Sequence, residues 1–284
     1  MIAVEIIKTV KEMQKYSDRS RLSGKTIVLV PTMGFFHEGH LSLMRKGRKI
    51  GDDLVVSIFV NPAQFAPGED FESYPRAFER DIGFAAKEGA DAIFVPDEKE
   101  LYPDGFQTYI NLEELPKHLC GISRPVFFRG VATVVSKLFN IVKPDIAIFG
   151  QKDYQQVVVI RRMVKDMNFD IEIVDVPTFR EPDGLAMSSR NSYLTDKERD
   201  YARSLFKSLK TAQTLLKDGT NDASKIIGAA SRIIESCPET VIDYISIFDP
   251  ETLVDMKTID RPAQMALAVK IGKTRLIDNM RLRS

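Results

Sequence analysis

Two of the chain's three histidines, His37 and His40, have only Glu38 and Gly39 between them in the stretch Pro31-Thr32-Met33-Gly34-Phe35-Phe36-His37-Glu38-Gly39-His40. Imidazoles at this spacing can both face an anion once the segment begins to turn, and Gly34 and Gly39 admit close backbone approach or positive φ. A helix starting there adds unpaired N–H groups, which favours phosphate as the ligand. The bland alternative is an ordinary loop with capping or core-edge histidines. Metal binding is a weaker rival, because there is no His-x-x-x-His pair and Cys120 and Cys237 are far apart. The glycine-rich dinucleotide fingerprint and the phosphate loop are both absent, Gly24-Lys25-Thr26 lacking the upstream glycine. What remains is a nucleotide site in which imidazoles and a helix start hold a triphosphate while attack occurs at one phosphorus.

Other stretches offer matching chemistry. Asn61 and Gln64 follow the apolar run at 54–60, and Lys152 stands in Gly150-Gln151-Lys152-Asp153 after the run at 146–149. Carboxyl ends of strands are the usual ligand edge of an open α/β sheet, so these groups and the histidines are expected at one edge. Ser188-Ser189-Arg190 puts two hydroxyls and a delocalised cation in a turn, enough to grip phosphate oxygens, although serines in turns are common. Arg124 and Arg129 could bind a carboxylate or phosphate, although two surface arginines usually serve solubility alone. The acidic, turn-rich segment 67–75 reads either as a solvated connection or as a loop covering substrate.

The elements that must position these groups alternate. Strands are expected at 4–7, 26–30, 54–60, 91–96, 146–149 and 171–176, with 108–110 as a short edge strand. Helices are expected after Thr9, over 41–49, around Phe78, Ile82, Ala85 and Ala86, from Val131 to Val142, and over 157–167. Thr9/Glu12 and Thr195/Glu198 are capping boxes. Beyond residue 195 the order changes to two amphipathic helices followed by strands at 241–248, 265–271 and 275–277, so a second domain begins between 179 and 195. With 284 residues, 44% hydrophobic, and 40 acidic against 40 basic side chains, the chain has the composition of a soluble globular protein without broad attraction to nucleic acid or membrane. No signal peptide or transmembrane run is visible, and two scattered cysteines fit a reducing cytoplasm.

Taken together, His37-Glu38-Gly39-His40, Gly150-Gln151-Lys152-Asp153 and Met187-Ser188-Ser189-Arg190-Asn191 closely resemble the pantothenate synthetase (pantoate-beta-alanine ligase) family. Pro31-Thr32-Met33-Gly34, Asn61-Pro62-x-Gln64-Phe65 and Tyr74-Pro75-Arg76 separate that family from other nucleotidyl transferases, and the likeness runs to Thr274-Arg275-Leu276-Ile277-Asp278-Asn279. The resemblance implies an α/β chain: a Rossmann-like parallel-sheet nucleotidyl-transferase domain at 1–183 that binds ATP and pantoate, and a smaller C-terminal α+β lid domain at 184–284. It implies condensation of pantoate with beta-alanine through pantoyl adenylate, with ATP and Mg2+, in a cytoplasmic homodimer. It assigns ATP to Met33, Gly34, Phe35, Phe36, His37, Glu38, Gly39, His40, Gly150, Gln151, Lys152, Asp153, Phe179 and the closing loop Met187, Ser188, Ser189 and Arg190. Pantoate falls to Gln64 and Gln156, and the catalytic groups are His40, His37, Lys152 and Arg190.

The chain departs from the family pattern in places. Val126-Phe127-Phe128-Arg129-Gly130 stands where Gly-His-Phe-Arg-Gly is usual, so Phe127 replaces an imidazole with a ring that neither hydrogen-bonds nor carries charge. Gln151 replaces a common glutamate, and Phe36 a leucine. The rivals are a transferase of the same fold acting on another small carboxylate and a nucleotide-binding scaffold, which would not consume ATP.

Overall fold

The structure, a computed structural model, describes residues 4–283. In chain order the first elements are β1 (Glu5–Ile7), α1 (Val10–Leu22), β2 (Ile27–Thr32), α2 (Glu38–Ile50), β3 (Asp53–Ile58), α3 (Phe78–Lys87), β4 (Ala92–Phe94) and the short α4 (Glu98–Leu101) and α5 (Cys120–Ser123). Then come α6 (Phe127–Val142), β5 (Ile146–Gly150), α7 (Tyr154–Asp166), β6 (Glu172–Val176), α8 (Asp196–Lys217), α9 (Ala223–Glu235), β7 (Thr240–Phe248), β8 (Ala263–Ile271) and β9 (Thr274–Arg283). Two compact units result: residues through Glu113, Arg124–Gln151 and Gln156–Pro177 make one, and Glu114–Ser123, Lys152–Gln155 and Thr178 onward make the other.

The first unit is a six-stranded parallel sheet in the order β1-β4-β3-β2-β5-β6. Successive strand residues face opposite sides. Ile27, Leu29, Val55, Phe94, Ala147 and Phe149 join Met13 of α1, Leu138 and Phe139 of α6 and Ile160 of α7 on one side. Val28, Val30, Leu54, Val56, Ile93 and Ile148 join Leu41 and Met44 of α2 and Ala85 of α3 on the other. Both faces are therefore dry, which is why these strands read as unbroken apolar runs. Each fully buried side chain of this size contributes about 1.5–3 kcal/mol. Every strand is parallel, so all carboxyl ends lie along one edge, and β2, β3 and β5 deliver the loops after Thr32, Ile58 and Gly150 to it.

The second unit is an antiparallel sheet, β7-β8-β9, covered by α8 and α9. Leu205, Leu209, Ala212, Ile226, Ala230 and Ile234 from the helices pack against Met265, Leu267 and Val269 of β8. Thr9 and Thr195 both close the expected capping boxes with Glu12 and Glu198.

Several elements differ from the sequence expectations. Residues 108–110 form no strand; the Ile110 N–H is spent on the Thr133 hydroxyl at 3.0 Å. Ala86 is exposed, and α3 instead buries Asp81. Helix α2 begins at Glu38, three residues early, because His37 takes the N-cap position with extended backbone. Helices α6 and α7 likewise start before their apolar stripes, at Phe127 and Tyr154. β9 runs on to Arg283 through a polar-tipped stretch paired along its length with β8.

Candidate active site

After β2 the chain bends twice into the left-handed region, at Gly34 (φ +83°) and Phe35 (φ +52°). A Cβ on Gly34 would lie 3.0 Å from Ile58 Cγ2 and 3.2 Å from Asp81 Oδ2, a tight fit that adds to the preference for glycine set by φ. Phe35 has no such licence, and a non-glycine residue in this region costs about 1–2 kcal/mol. The first turn of α3 offsets that cost. Asp81, 1% exposed, accepts the N–H of Phe35 at 2.6 Å and of Phe36 at 2.8 Å. Arg80 lies 4.3 Å above the Phe35 ring and donates to the Phe36 carbonyl at 3.3 Å. Sequence alone gives Asp81 no role, since a helix-face carboxylate normally faces solvent. Asp81→Asn, which turns one acceptor into a donor facing a buried N–H, is expected to lose about 2 kcal/mol of stability, read as a lower urea midpoint.

This clamp aims the histidines. His40 sits in the first turn of α2, its ring centroid 4.1 Å from that of His37, and its Nδ1 accepts the His37 N–H at 3.3 Å. With Nδ1 accepting, the neutral ring carries its proton on Nε2 and presents an N–H donor without needing a charge. The N-terminus of α2 adds partial positive charge. Glu38 in the same turn would repel an anion, but it pairs with Arg45, which also grips Glu88 at 2.7 and 2.9 Å.

Beside it a polar chain orients Gln64. The Tyr102 hydroxyl donates to Asn61 Oδ1 at 2.8 Å, and Asn61 Nδ2 donates to Gln64 Oε1 and to the Gly130 carbonyl, each at 3.1 Å. Gln64 Nε2 reaches Met33 Sδ at 3.1 Å, bringing its amide onto the segment that leads into the histidine corner. Gly130 makes this possible: a Cβ there would stand 2.3 Å from the Ala63 carbonyl oxygen, so only glycine lets α6 meet the Pro62–Gln64 turn. Arg124 corrects the surface reading. Its side chain is 13% exposed, it forks onto Glu69 at 2.6 Å through two nitrogens, and it bonds the Gln64 carbonyl at 3.3 Å. Burial pulls the Glu69 carboxyl up, and the Arg124 pair more than offsets that, leaving it below the ordinary glutamate value. Phe127 lies 4.0 Å from the same guanidinium. The residue standing in place of a histidine thus supplies a flat face for a cation instead of a hydrogen bond. Arg129 is exposed, as the surface reading expects, with its guanidinium 3.7 Å over the exposed Tyr109 ring.

At the end of β5, Gln151 donates its amide to Asp175, which also holds Arg161. Burial pushes the Asp175 carboxyl up, and these two partners more than offset that, leaving it below the usual aspartate value. A glutamate at 151 would confront Asp175 with a second carboxylate, so the amide is the residue this neighbour accommodates. In α7, Gln155 spends its amide on the Cys120 N–H and the Leu115 and His118 carbonyls, whereas Gln156 stays half-buried at the surface.

The second unit carries the remaining candidates. Lys152, its side chain 20% exposed, lies in the Gln151–Asp153 turn with Nζ 3.8 Å from Asp153 Oδ2. Its carbonyl accepts from Asn279 Nδ2 at 2.8 Å. Residues 179–187 form a hairpin, with Arg180 bridged to Ala186 and the Met187 N–H on the Phe179 carbonyl at 3.0 Å. Arg180 is held bidentately by buried Asp278 at 2.7 and 2.9 Å. Phe179 is 36% exposed, an open apolar face of the kind a base can cover. Ser188 caps the Ser189–Tyr193 turn by accepting the Arg190 N–H at 3.3 Å, and Ser189 is buried. The nearby acids are committed: Glu181 accepts from Asn191 at 2.7 Å and Arg199 at 2.6 Å, and Asp183 from Arg199 at 2.9 Å. No group of three His, Cys, Asp or Glu that could hold a metal occurs among the described residues.

The sequence profile of one family, Pantoate-beta-alanine ligase, matches residues 5–281. The chain is 56% identical over 276 residues to the pantothenate synthetase of Desulfatibacillum aliphaticivorans, covering 97% of this chain and 98% of that one. It is similar to the crystal structure of pantothenate synthetase from Thermus thermophilus, with TM-score 0.94, 40% identity, and coverage of 99% and 100%. It is also similar to pantoate-beta-alanine ligase from Francisella tularensis complexed with beta-gamma ATP and beta-alanine, with TM-score 0.82, 34% identity, and coverage of 99% and 98%.

Proposed function

The chain belongs to the pantoate-beta-alanine ligase family, condensing (R)-pantoate with beta-alanine through pantoyl adenylate to give pantothenate, AMP and diphosphate, and we propose which of its residues do this. ATP is held by residues 33–40 and 150–153, the backbone at Phe179 and residues 187–190; pantoate is held by Gln64 and Gln156. The catalytic groups are His37, His40, Lys152 and Arg190. By chain position we assign residues 1–183 to the nucleotide and pantoate domain and 184–284 to the lid, although the compact units divide differently, with Lys152–Gln155 and Thr178 onward in the second. Mg2+ enters as part of the substrate, bound by phosphate oxygens and water, as suits a cation that dehydrates reluctantly. From family membership we also infer a homodimer in the cytoplasm; no described helix is long and apolar enough to cross a membrane.

One observation carries the assignment: the Gln64 amide, oriented by Asn61, rests against Met33 at the start of the histidine corner. Pantoate held by that amide has its carboxylate directed towards the segment assigned to ATP. The carboxylate oxygen bonds to the α-phosphorus as the bond to the bridging oxygen breaks and diphosphate leaves. Charge grows on the phosphate oxygens, where His40 Nε2–H, the α2 N-terminus, Lys152 and Arg190 oppose it. In the second step the neutral amine of beta-alanine attacks the anhydride carbonyl and AMP departs. Neither step needs an enzyme nucleophile.

The test withholds one substrate. With ATP and pantoate but no beta-alanine, mass spectrometry is expected to find pantoyl adenylate and diphosphate, and beta-alanine should convert the adenylate to pantothenate and AMP. Formation of ADP and phosphate would defeat the mechanism. Gln64→Ala is expected to raise the KM for pantoate more than that for ATP; the reverse order would defeat the assignment of Gln64.

A further inference from the structure

The C-terminal stretch Thr274-Arg275-Leu276-Ile277-Asp278-Asn279 lies in β9, in a sheet far along the chain from the strand-end loops, and nothing in the mechanism above uses it. Its last two residues are buried polar groups, 2% and 6% exposed. Neither is needed for the β8–β9 ladder, which backbone groups complete. Adjacent strand residues point to opposite sides, so two consecutive side chains can reach two separate segments. Asp278 grips Arg180, at the base of the 179–187 hairpin, with two bonds of 2.7 and 2.9 Å. Asn279 donates from Nδ2 to the Lys152 carbonyl at 2.8 Å, and its Oδ1 is pinned by buried Gln264 Nε2 at 2.8 Å. The Asn279 amide is thus oriented from behind, and its donor is aimed at the turn that carries the lysine.

We propose that Asp278 and Asn279 act together as a positioning element for ATP, one side chain fixing the turn of Lys152 and the next fixing the hairpin that bears Phe179 and leads to Ser188-Ser189-Arg190. This rests on the assignment of those segments to ATP. Two groups that act on one triphosphate must keep a fixed separation, and a single rigid strand gripping both provides it. Displacing a catalytic cation by about 1 Å is enough to lose up to two orders of magnitude in rate. A stabilising buried pair alone would account for Asp278 and Arg180, but it leaves the Asn279 to Lys152 bond without a purpose.

The experiment is a double-mutant cycle on the full-length enzyme, reading single-turnover pantoyl adenylate formation and thermal stability together. Asn279→Ala is expected to slow adenylate formation about tenfold in the parent, since Lys152 keeps its charge but loses its placement. In a Lys152→Ala background the same change is expected to cost less than about twofold, because there is no ammonium left to misplace. If Asn279→Ala folds poorly, the uncharged Asn279→Ser keeps a hydroxyl that can accept from Gln264 but is too short to reach the Lys152 carbonyl, and is expected to show the same pattern. An equal cost in both backgrounds, with Lys152→Ala itself slow, would overturn the positioning role alone. A parental rate in Lys152→Ala would overturn the assignment of Lys152 and the proposal with it.

Discussion

Replacing His40 by alanine is expected to slow pantoyl adenylate formation by about two orders of magnitude, or about 3 kcal/mol, while leaving the fold intact. The rate effect follows from the ring's attachment. His40 Nδ1 accepts the His37 N–H, so the ring proton sits on Nε2, and that N–H is the donor assigned to a phosphate oxygen as diphosphate departs. A donor fixed before the reaction needs no reorganisation in the transition state, which is what makes one such group worth this much. The fold effect is small because His40 is half-buried at a helix start and belongs to none of the three apolar clusters. Losing the ring leaves one N–H to find water, about 1 kcal/mol. Rapid-quench single turnovers with ATP and pantoate, alongside circular dichroism, separate the two quantities. A folded His40→Ala that forms adenylate at the parental rate would remove His40 from the mechanism.

The histidine corner is legible in the sequence because it is built from short-range chemistry: an apolar strand, a glycine bend and a helix start, all close together along the chain. The strands of the first unit are legible for a related reason, since both faces of a parallel sheet are dry and alternation disappears. What holds the corner is not legible. Asp81 lies 45 and 46 positions away from Phe36 and Phe35, and its burial depends on helix α3 packing so that one carboxylate faces inward. Arg124 misleads for the same reason, because its partner Glu69 comes from a loop 55 residues earlier. Residues 108–110 have strand-like side chains, yet Thr133 takes the N–H that a ladder would have used. Long-range polar pairs decide each of these cases, and hydrophobic periodicity carries no information about them.

Those same pairs share an electrostatic logic. Apart from Asp153, itself assigned to the nucleotide and 3.8 Å from Lys152, the segments assigned to ATP and pantoate contain or adjoin Glu38, Glu69, Asp81, Asp175, Glu181, Asp183 and Asp278, enough carboxylates to repel a triphosphate. Each is committed elsewhere: Glu38 to Arg45, Glu69 to Arg124, Asp175 to Arg161 and Gln151, Glu181 and Asp183 to Arg199, Asp278 to Arg180, and Asp81 to two backbone N–H groups. Their acceptor capacity is turned onto the protein, and so they rigidify the loops they would otherwise make hostile to an anion. Gln151 extends the pattern by meeting Asp175 as a donor.

Arg190→Ala is expected to separate the two half-reactions, slowing pantoyl adenylate formation by about two orders of magnitude and leaving attack of beta-alanine on supplied pantoyl adenylate within a few-fold of the parent. The two steps differ in the charge they must hold. During adenylation the β- and γ-phosphates are present and negative charge accumulates on the departing diphosphate, where a planar, always-charged guanidinium can bond two oxygens at once. By the second step the diphosphate has gone, and the leaving group is AMP. The turn is suited to carry such a group. Ser188 caps it through the Arg190 N–H, Asn191 ties it back to Glu181 and the Ala186 carbonyl, and Ser189 is buried, so the backbone has holds of its own besides the arginine side chain. Alanine at 190 should therefore remove a charge while these backbone and Asn191 bonds continue to hold the turn. If Arg190 served only a surface ion pair, its loss would cost at most about 1 kcal/mol and would fall on both steps alike. Rapid-quench measurement of adenylation, set against turnover of synthetic pantoyl adenylate by the same preparation, makes the comparison. Equal and small effects on the two steps would reduce the Ser188-Ser189-Arg190 segment to a structural turn.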